Sequence, residues 1–378
     1  MEGLKINPWE VSSEIKEQDY PKLIKEFGAK LIDDKLLDRL KKITGDLHPF
    51  LTSGLFFAHR DLDVVLDDYS KGNEFYLYTG RGPSGKMHLG HLLPFIFTKW
   101  LQDKFDVDLL IQITDDEKYL VKDITMDEIR KNTQDNILDI LSLGFNKERT
   151  HIIVDSEQSK ILYNNAIMFA KKLTASTAKA VFGLKDSDNV GKYFFTSMQA
   201  VPAFLLSAIK GRNVRCLIPY GIDQDDHFKI ARDILPKLGY YKPSAIISKL
   251  MPSLQGTGKM SSSDPNSAIF LDDDEETVKK KINKYAFSGG RDTKEEQRKY
   301  GANPDVDFAF NMYRALEPDQ EKVSRAYADY KSGKILSGEM KAMSSDAINK
   351  FLSGLRERKE QIKGHVGEYM FDVNRFKD

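Results

Sequence analysis

The segment that decides the fold reads TGRGPSGKMHLGH (79–91). Its start follows the spacing of a phosphate-binding P-loop, with four residues between Gly80 and Gly85 and then Lys86. A P-loop next requires a Ser or Thr whose hydroxyl binds Mg²⁺, and this chain has Met87 there. The segment is therefore either an altered P-loop or a different way of binding the same kind of ligand.

On both sides of this segment, strand-length apolar runs alternate with helix-length segments. The runs are FYLYTG (75–80), DLLIQIT (108–114), THIIVD (150–155), VRCLIPY (214–220) and SAIISKLMP (244–252). This alternation is typical of parallel βαβ units, and the near-continuous hydrophobicity is typical of strands covered on both faces. From about Asp264 the apolar runs cease and charged, helix-like segments take over.

The pattern predicts an α/β protein in three parts. An N-terminal extension (1–70) has a helical rhythm over residues 22–40, with Gly28 as its weak point. A Rossmann-like, doubly wound parallel sheet forms a catalytic domain (71–275), onto which residues 363–378 can pack back. A helical C-terminal domain (276–362) follows.

Composition limits the class of protein. Lys plus Arg and Asp plus Glu each number 57, and a net charge of zero argues against a chain that coats nucleic acid by bulk charge, although a local basic face for a folded RNA stays open. Cys216 is the single cysteine, so neither an intramolecular disulfide nor a cysteine-rich zinc site is expected. The first residues lack a signal-peptide pattern, and the apolar runs are too short to cross a membrane. We expect a cytoplasmic protein.

Two histidines mark the end of the deciding segment. A helix that starts near residue 86 would place His88 and His91 on one face, where their imidazoles can donate to phosphate oxygens. Gly90 between them would let an adenine approach the backbone, since no Cβ intervenes. Zinc also uses paired histidines, but no third ligand follows at a standard spacing, which disfavours a metal site.

HLGH (88–91) resembles the HIGH signature of class I aminoacyl-tRNA synthetases, and KMSSS (259–263) resembles their second signature, Lys-Met-Ser-Lys-Ser. Each motif alone is weak, but both in order, separated by several βαβ-like units, favour a synthetase over a P-loop protein. The chain further resembles the tryptophanyl-tRNA synthetases of the archaeal and eukaryotic branch. The matching stretches include NPWEV (7–11), FFAHRDLDVVLDDY (56–69), IQITDDEKYL (111–120), CLIPYGIDQDDHF (216–228) and AFSGGRDT (286–293).

The resemblance implies a tryptophan site at the carboxyl ends of the strands, where open parallel sheets bind ligands. Tyr78 and Gln224 would hydrogen-bond the indole N–H. The α-amino and carboxylate groups would be held by Gln112, Glu117 and Gln199, and Phe228 would pack on the indole. For Gln112 a buried, satisfied amide within its apolar strand is the alternative.

The resemblance also implies an ATP site. Its approach loop would consist of Gly80, Arg81 and Gly82, and Asp223 would accept from the ribose hydroxyls. The remaining residues would contact phosphate, adenine or the departing pyrophosphate, with His88, His91, Lys259 and Ser263 in catalysis and Gly90, Met260 and Ser261 in ATP binding. Mg²⁺ would arrive with ATP, and no protein ligand for a metal is predicted.

By this resemblance the chain joins L-tryptophan to tRNA(Trp), works as a homodimer, and reads the anticodon with its helical domain. Two alternatives stay open, a tyrosyl-tRNA synthetase and a non-catalytic, synthetase-like binding protein; a P-loop kinase or ATPase ranks last. The sequence departs from the family pattern at three positions. Ser262 replaces the second lysine of the signature, Leu89 replaces isoleucine, and Tyr220 is bulkier than expected beside the pocket.

Overall fold

The computed structural model describes residues 19–256, 259–262 and 264–377. The predicted similarity at residues 7–11 and the predicted catalytic Ser263 lie outside these residues. The chain divides into two compact units. The first comprises residues 1–85, 94–250 and 362–378, and the second comprises residues 86–93 and 251–361. The functional domain boundaries given above stay a prediction.

Within the described residues, seven strands form one sheet in the order β1-β2-β7-β6-β3-β4-β5. Their bounds are β1 Lys30–Leu31, β2 Phe56–Arg60, β3 Phe75–Arg81, β4 Leu109–Ile113, β5 Thr150–Val154, β6 Arg215–Gly221 and β7 Ser244–Ser248. Strands β7, β6, β3, β4 and β5 run parallel to one another. The predicted α/β fold with a parallel sheet is confirmed, because each apolar run named above forms a parallel strand.

Two further strands come from the N-terminal extension, for which only helices were predicted. Strand β2 pairs antiparallel with β7, and β1 pairs antiparallel with β2. All five residues of β2 are buried, including His59 and Arg60. These two polar residues broke the apolar run in the sequence, so the strand pattern was hidden.

Seventeen α-helices are present in the described part of the chain. Those up to residue 234 are α1 Tyr20–Phe27, α2 Asp34–Thr44, α3 Pro49–Thr52, α4 Leu62–Ser70, α5 Leu89–Phe105, α6 Asp115–Val121, α7 Met126–Leu141, α8 Ser159–Ala170, α9 Ala175–Phe182, α10 Val190–Met198, α11 Leu205–Lys210 and α12 Asp225–Ile234. The others are α13 Glu275–Tyr285, α14 Lys294–Tyr300, α15 Phe308–Leu316, α16 Gln320–Lys331 and α17 Ser337–Ile362. The helical C-terminal region that the sequence predicts is thereby confirmed.

The predicted helical segment 22–40 is interrupted at Gly28. This glycine has φ 65°, a left-handed conformation that ends α1. Strand β1 follows, and α2 then begins with Asp33 as its N-cap, whose side chain accepts the N–H of Leu36 at 2.8 Å. The weak point in the helical pattern is thus a helix end.

The C-terminal residues lie on the first unit, along the edge strand β5. Met370 forms a parallel bridge with Ile152, and the N–H of Phe371 donates to the carbonyl of Ile152 at 2.9 Å. The rings of Phe371 and Phe376 stack at 5.5 Å, and both side chains are buried. This short segment therefore covers backbone groups that an edge strand would otherwise expose.

The second unit has its own apolar core between α15, α16 and α17. Phe310, Tyr313, Tyr330 and Met340 are buried together there. The hydroxyl of Tyr330 donates to the side chain of Asp307 at 2.7 Å, so the one polar group of that ring is satisfied. In neither unit do the described residues include a helix long and apolar enough to cross a membrane.

One partly buried histidine contributes to a dependence of the fold's stability on pH. His48 precedes α3, and its Nδ1 accepts the N–H of Phe50 at 3.1 Å, while its ring packs against Phe97 and Trp100. Burial, partly offset by Asp46, lowers the pKa of His48 to about 4. The unfolded chain therefore takes up this proton first as the pH falls, and the folded state loses up to about 3 kcal/mol between pH 6.5 and pH 4.

We expect His48→Asn to reduce this loss of stability in acid, because asparagine keeps a capping acceptor but does not titrate. The measurement is denaturant-induced unfolding of both proteins at pH 7 and at pH 4.5. The free energy of unfolding should fall less in the variant over that interval. Equal losses in the two proteins would show that His48 is not the titrating group.

Candidate active site

Three residues predicted to bind tryptophan share one hydrogen-bond network in the first unit. The hydroxyl of Tyr78 donates to Oε1 of Gln112 at 2.5 Å and accepts from Nε2 of Gln199 at 2.7 Å. It also lies 3.0 Å from the backbone carbonyl of Gln199. Tyr78 is only 1% exposed, and it lies within β3, which continues beyond it to Arg81. The network therefore sits at neighbouring strands β3 and β4.

An aromatic wall adjoins this network. The ring of Phe228, on α12, meets the ring of Tyr78 edge-on at 5.8 Å. Its other neighbour is Tyr220, which stacks on it at 4.6 Å and donates its hydroxyl to Asp225 at 2.8 Å. The unexpected bulk of Tyr220 thus forms part of the wall, and its polar end is bound to Asp225.

Asp223 and Gln224 lie in a single 3-10 turn, Ile222–Gln224, between the end of β6 and the start of α12. Both are partly exposed. A Cβ on the preceding Gly221 would come within 2.8 Å of Oδ1 of Asp223, so glycine allows this turn to close. The two side chains lie just beyond the carboxyl end of a parallel strand, and their binding roles stay predictions.

Glu117 supplies a buried negative charge in the same unit. Its carboxylate accepts from the Thr114 hydroxyl at 2.9 Å and from the Lys118 ammonium at 2.7 Å. Burial favours the protonated acid, but Lys118 and Thr114 outweigh it and hold the pKa of Glu117 below its ordinary value. A Cβ on Gly82 would come within 2.8 Å of this carboxylate and 2.0 Å of Lys118 Cε, so the approach loop passes directly beside it.

Arg81, also from the approach loop, points toward α7. Its Nε donates to Oδ1 of Asn136 at 3.3 Å, and Nδ2 of Asn136 donates to the carbonyl of Gly85 at 3.0 Å. Burial lowers the pKa of Arg81 to about 10, an effect that nearby Glu117 opposes. Gly80 faces the backbone carbonyl of Gln112, 3.0 Å from where its Cβ would stand. A side chain at position 80 would therefore be in tight contact with this carbonyl group.

Sequence reasoning missed a set of buried carboxylic acids behind Gln112. Nε2 of Gln112 donates to both side-chain oxygens of Asp155 at 2.9 Å, so both ends of its amide are occupied, as in the alternative reading of Gln112. Asp155 shares a further hydrogen bond with Asp116. The neighbouring Asp115 accepts instead from the N–H of Ser156 at 3.0 Å. The sequence signal that could have revealed Asp155 is its position directly after the buried run THIIV (150–154).

The two signature histidines lie in the second unit, and one prediction about them is wrong. Helix α5 begins at Leu89, so His88 precedes the helix instead of lying on its first turn. The reason is a bridge between His88 and Phe270, which keeps residue 88 extended. The imidazoles of His88 and His91 are nevertheless adjacent, since their rings stack at 3.4 Å and the N–H of His88 donates to Nδ1 of His91 at 3.3 Å.

The second unit brings the two signatures together at Gly90. A Cβ there would come within 3.0 Å of Sδ of Met260 and 3.2 Å of the His88 ring. Met260 belongs to the second signature, 170 residues along the chain. A residue with a side chain at position 90 would have to push one of these groups away, so glycine permits the close approach.

Ser261 of the second signature is hydrogen-bonded to a residue that follows it in the chain. The N–H of Ser261 donates to Oγ of Ser267 at 3.1 Å, and this hydroxyl in turn donates to the carbonyl of Asp264 at 2.7 Å. Lys259 forms an antiparallel bridge with Pro252 and is exposed. Ser262, which replaces the second signature lysine, lies with its hydroxyl 3.4 Å from the carbonyl of Lys86.

No group of three or more His, Cys, Asp or Glu side chains is placed to hold a metal ion in the portion of the chain for which positions are given. The predicted attachment of Mg²⁺ to ATP stays a prediction.

A family model described as tRNA synthetases class I (W and Y) matches residues 70–353 of the chain. The chain belongs to this family. The predicted Rossmann-like synthetase fold and the predicted class of enzyme, an aminoacyl-tRNA synthetase, are confirmed. The family model covers enzymes for tryptophan and for tyrosine, so it does not show which of the two amino acids this enzyme uses. Relatives of high sequence identity are needed for that distinction.

Two such relatives are both named tryptophan–tRNA ligase. The tryptophan–tRNA ligase of Saccharolobus solfataricus is 48% identical to this synthetase. The aligned region covers 97% of the present chain and 95% of the relative. The cytoplasmic tryptophan–tRNA ligase of Oryctolagus cuniculus is 45% identical, over 97% of this chain and 79% of the rabbit protein. The predicted activity, that of a tryptophan–tRNA ligase, is thereby confirmed.

Solved structures agree with the sequences. The Plasmodium falciparum tryptophanyl-tRNA synthetase is similar with a TM-score of 0.89 and 41% identity, over 95% of this synthetase and 99% of that chain. The Encephalitozoon cuniculi tryptophanyl-tRNA synthetase bound to tryptophan gives a TM-score of 0.87 and 38% identity, over 97% and 100% of the two chains. The likeness thus extends over nearly the whole fold.

Proposed function

We propose that the chain is a tryptophan–tRNA ligase, which activates L-tryptophan with ATP and then transfers it to the 3′-terminal adenosine of tRNA(Trp). The observation that carries the proposal is the buried network of Tyr78 with Gln112 and Gln199 beside an aromatic wall. Such a slot offers hydrogen bonds to one edge of a flat ring and apolar contact to its face. Its occurrence in a chain about 48% identical to a named tryptophan–tRNA ligase supports indole as the ring.

In this proposal the amino acid is held at both ends. Tyr78 and Gln224 accept from the indole N–H while Phe228 packs on the ring. The carboxylate of Glu117 binds the α-ammonium group, since a charged acceptor strengthens such a bond. Gln199 and Gln112 complete the site, Gln112 either by touching the amino acid or by holding Tyr78.

ATP is bound by the other set of residues. The approach loop Gly80–Gly82 and the two histidines bind phosphates and adenine, together with Met260 and Ser261, and Asp223 accepts from the ribose. Lys259 and Ser263 hold the departing pyrophosphate. Mg²⁺ comes as the ATP complex, because phosphate oxygens with water are the ligands it prefers.

The first step is in-line attack of the tryptophan carboxylate on the α-phosphorus of ATP. The new C–O–P bond forms as the bond to the β-phosphate breaks, giving tryptophanyl-adenylate and pyrophosphate. A carboxylate is already a competent nucleophile, so the protein needs to supply only positioning and charge stabilisation. In the second step a ribose hydroxyl of the tRNA displaces AMP from the acyl group.

Three further features follow from the family resemblance and are part of the proposal. The helical region 276–362 reads the anticodon of tRNA(Trp). Two chains associate as a homodimer, which analytical ultracentrifugation can test. The protein works in the cytoplasm, as the name of the rabbit relative indicates for that protein.

The test is amino-acid-dependent exchange of pyrophosphate into ATP, followed by charging of tRNA(Trp). We expect exchange with tryptophan and only background exchange with phenylalanine, because the acceptor for the indole N–H stays unpaired when the phenyl ring enters. Tyrosine is the second comparison and should also give only background exchange. Exchange with tyrosine alone would identify a tyrosyl-tRNA synthetase. Absence of exchange with every amino acid would indicate a non-catalytic binding protein, and ATP hydrolysis without an amino acid would indicate a P-loop enzyme.

A further inference from the structure

The Tyr78 hydroxyl has one proton to donate and two lone pairs with which to accept. One lone pair is taken by Nε2 of Gln199 at 2.7 Å. If the proton goes to Oε1 of Gln112 at 2.5 Å, the second lone pair stays available for the indole N–H. Tyr78 can therefore recognise tryptophan only while Gln112 presents its oxygen.

If the Gln112 amide were rotated so that its nitrogen and oxygen exchanged places, Tyr78 could no longer accept from the indole N–H. Its Nε2 would then donate to Tyr78 and take the second lone pair, while the Tyr78 proton would turn to the backbone carbonyl of Gln199 at 3.0 Å. Both lone pairs would be filled by protein N–H groups, and the indole N–H would lose Tyr78 as an acceptor and keep only Gln224. A hydrogen bond lost in this way weakens binding of tryptophan.

Asp155 prevents the rotation. Both of its side-chain oxygens lie 2.9 Å from Nε2 of Gln112. The proton that Asp155 shares is directed to Asp116, so an amide oxygen in place of Nε2 would face these two oxygens without a hydrogen-bond donor. We propose that Asp155, braced by Asp116, is a positioning residue that fixes the Gln112 amide and so keeps Tyr78 an acceptor for the indole N–H. This inference deepens the proposed function and rests on it.

The protonation of the acid pair fits this role. Burial and the nearby Asp116 charge raise the pKa of Asp155 well above its ordinary value, and burial raises that of Asp116 to about 6. The hydrogen bond between the two carboxyl groups itself requires one proton, and Asp155, when it carries that proton, donates to Asp116. Its carbonyl oxygen still accepts from Gln112, so an asparagine at this position offers the same pattern of donor and acceptor.

The test compares two substrates in pyrophosphate exchange, tryptophan and β-(3-benzothienyl)alanine, in which sulfur replaces the indole N–H. The ratio of their kcat/KM values reports the bond to that N–H and is independent of the fraction of folded protein. We expect Asp155→Leu to lower the ratio by about tenfold, the usual effect of one lost hydrogen bond. Asp155→Asn should keep the ratio of the unmodified protein.

Asp115→Asn is the matched control, because Asp115 is a buried acid of the same cluster that accepts from Ser156 and not from Gln112. It should leave the ratio unchanged. An unchanged ratio in Asp155→Leu, or an equal fall in Asp155→Asn, would overturn the role of Asp155 while leaving the proposed function intact. If the unmodified protein shows no exchange with tryptophan, the proposed function and this inference both fail.

Discussion

Replacing Lys259 with alanine is expected to slow formation of tryptophanyl-adenylate by about 10²–10³-fold, which corresponds to about 2.7–4 kcal/mol. Lys259 is the one lysine of the second signature, since Ser262 stands where the family pattern has another. Its neighbour Met260 lies against Gly90, between the two histidines. In the proposed mechanism, stabilisation of the negative charge on the departing pyrophosphate therefore depends on Lys259 more than it would in a two-lysine signature.

The measurement is the rate of pyrophosphate exchange at saturating tryptophan and ATP. The affinity for tryptophan should change little, because the first unit contains the residues proposed to bind it. Lys284→Ala, an exposed lysine of α13 in the second unit, is the matched control for the loss of one positive charge and should keep the exchange rate. Exchange at the unmodified rate in Lys259→Ala would exclude the proposed role.

The second large effect concerns stability. Arg60 of β2 and Asp225 of α12 form a buried ion pair at 2.8 Å, with side chains 7% and 1% exposed. Asp225 also accepts from the Tyr220 hydroxyl, which places the pair directly behind the aromatic wall. We expect Arg60→Met to lower the free energy of unfolding by about 3–5 kcal/mol, because it leaves a buried carboxylate without its cation.

A double variant separates the charge from the packing. Combining Arg60→Met with Asp225→Leu removes both charges, and apolar replacement of a buried pair is often nearly neutral, so the double variant should be more stable than Arg60→Met alone. Arg130→Met, which removes one partner of an exposed pair with Asp127, should change stability little. Denaturant-induced unfolding gives all three values. A double variant less stable than the single one would contradict the expectation.

The parallel sheet was predictable because each of its strands is covered on both faces and therefore reads as a continuous apolar run. The antiparallel edge of the sheet, formed by β1 and β2, was not predictable in this way. Strand β2 contains Arg60, whose burial is made possible by Asp225, a residue 165 positions away. A local pattern cannot show that a charge will find its partner in the folded chain.

The residues of the candidate site were likewise predictable only in part. His88, His91 and Lys259 were found because their order and spacing match two signatures. Asp155 and Asp116 were missed, because a carboxylate after a buried run is a weak signal, and the contacts of Asp155 with Gln112 and with Asp116 form only in the fold. The helix start was also misplaced, because the bridge of His88 to Phe270 competes with the first helical turn.

By itself the sequence determined the alternation of the five parallel strands with helices, the two signatures and the residue types that can bind an amino acid and ATP. These follow from periodicity and from local chemistry, which act between neighbours in the chain. The tertiary structure alone decided which buried polar groups pair, which way the Gln112 amide faces and which strands border the sheet. Such choices depend on desolvation and on partners far apart in sequence, so they exist only once the chain has folded.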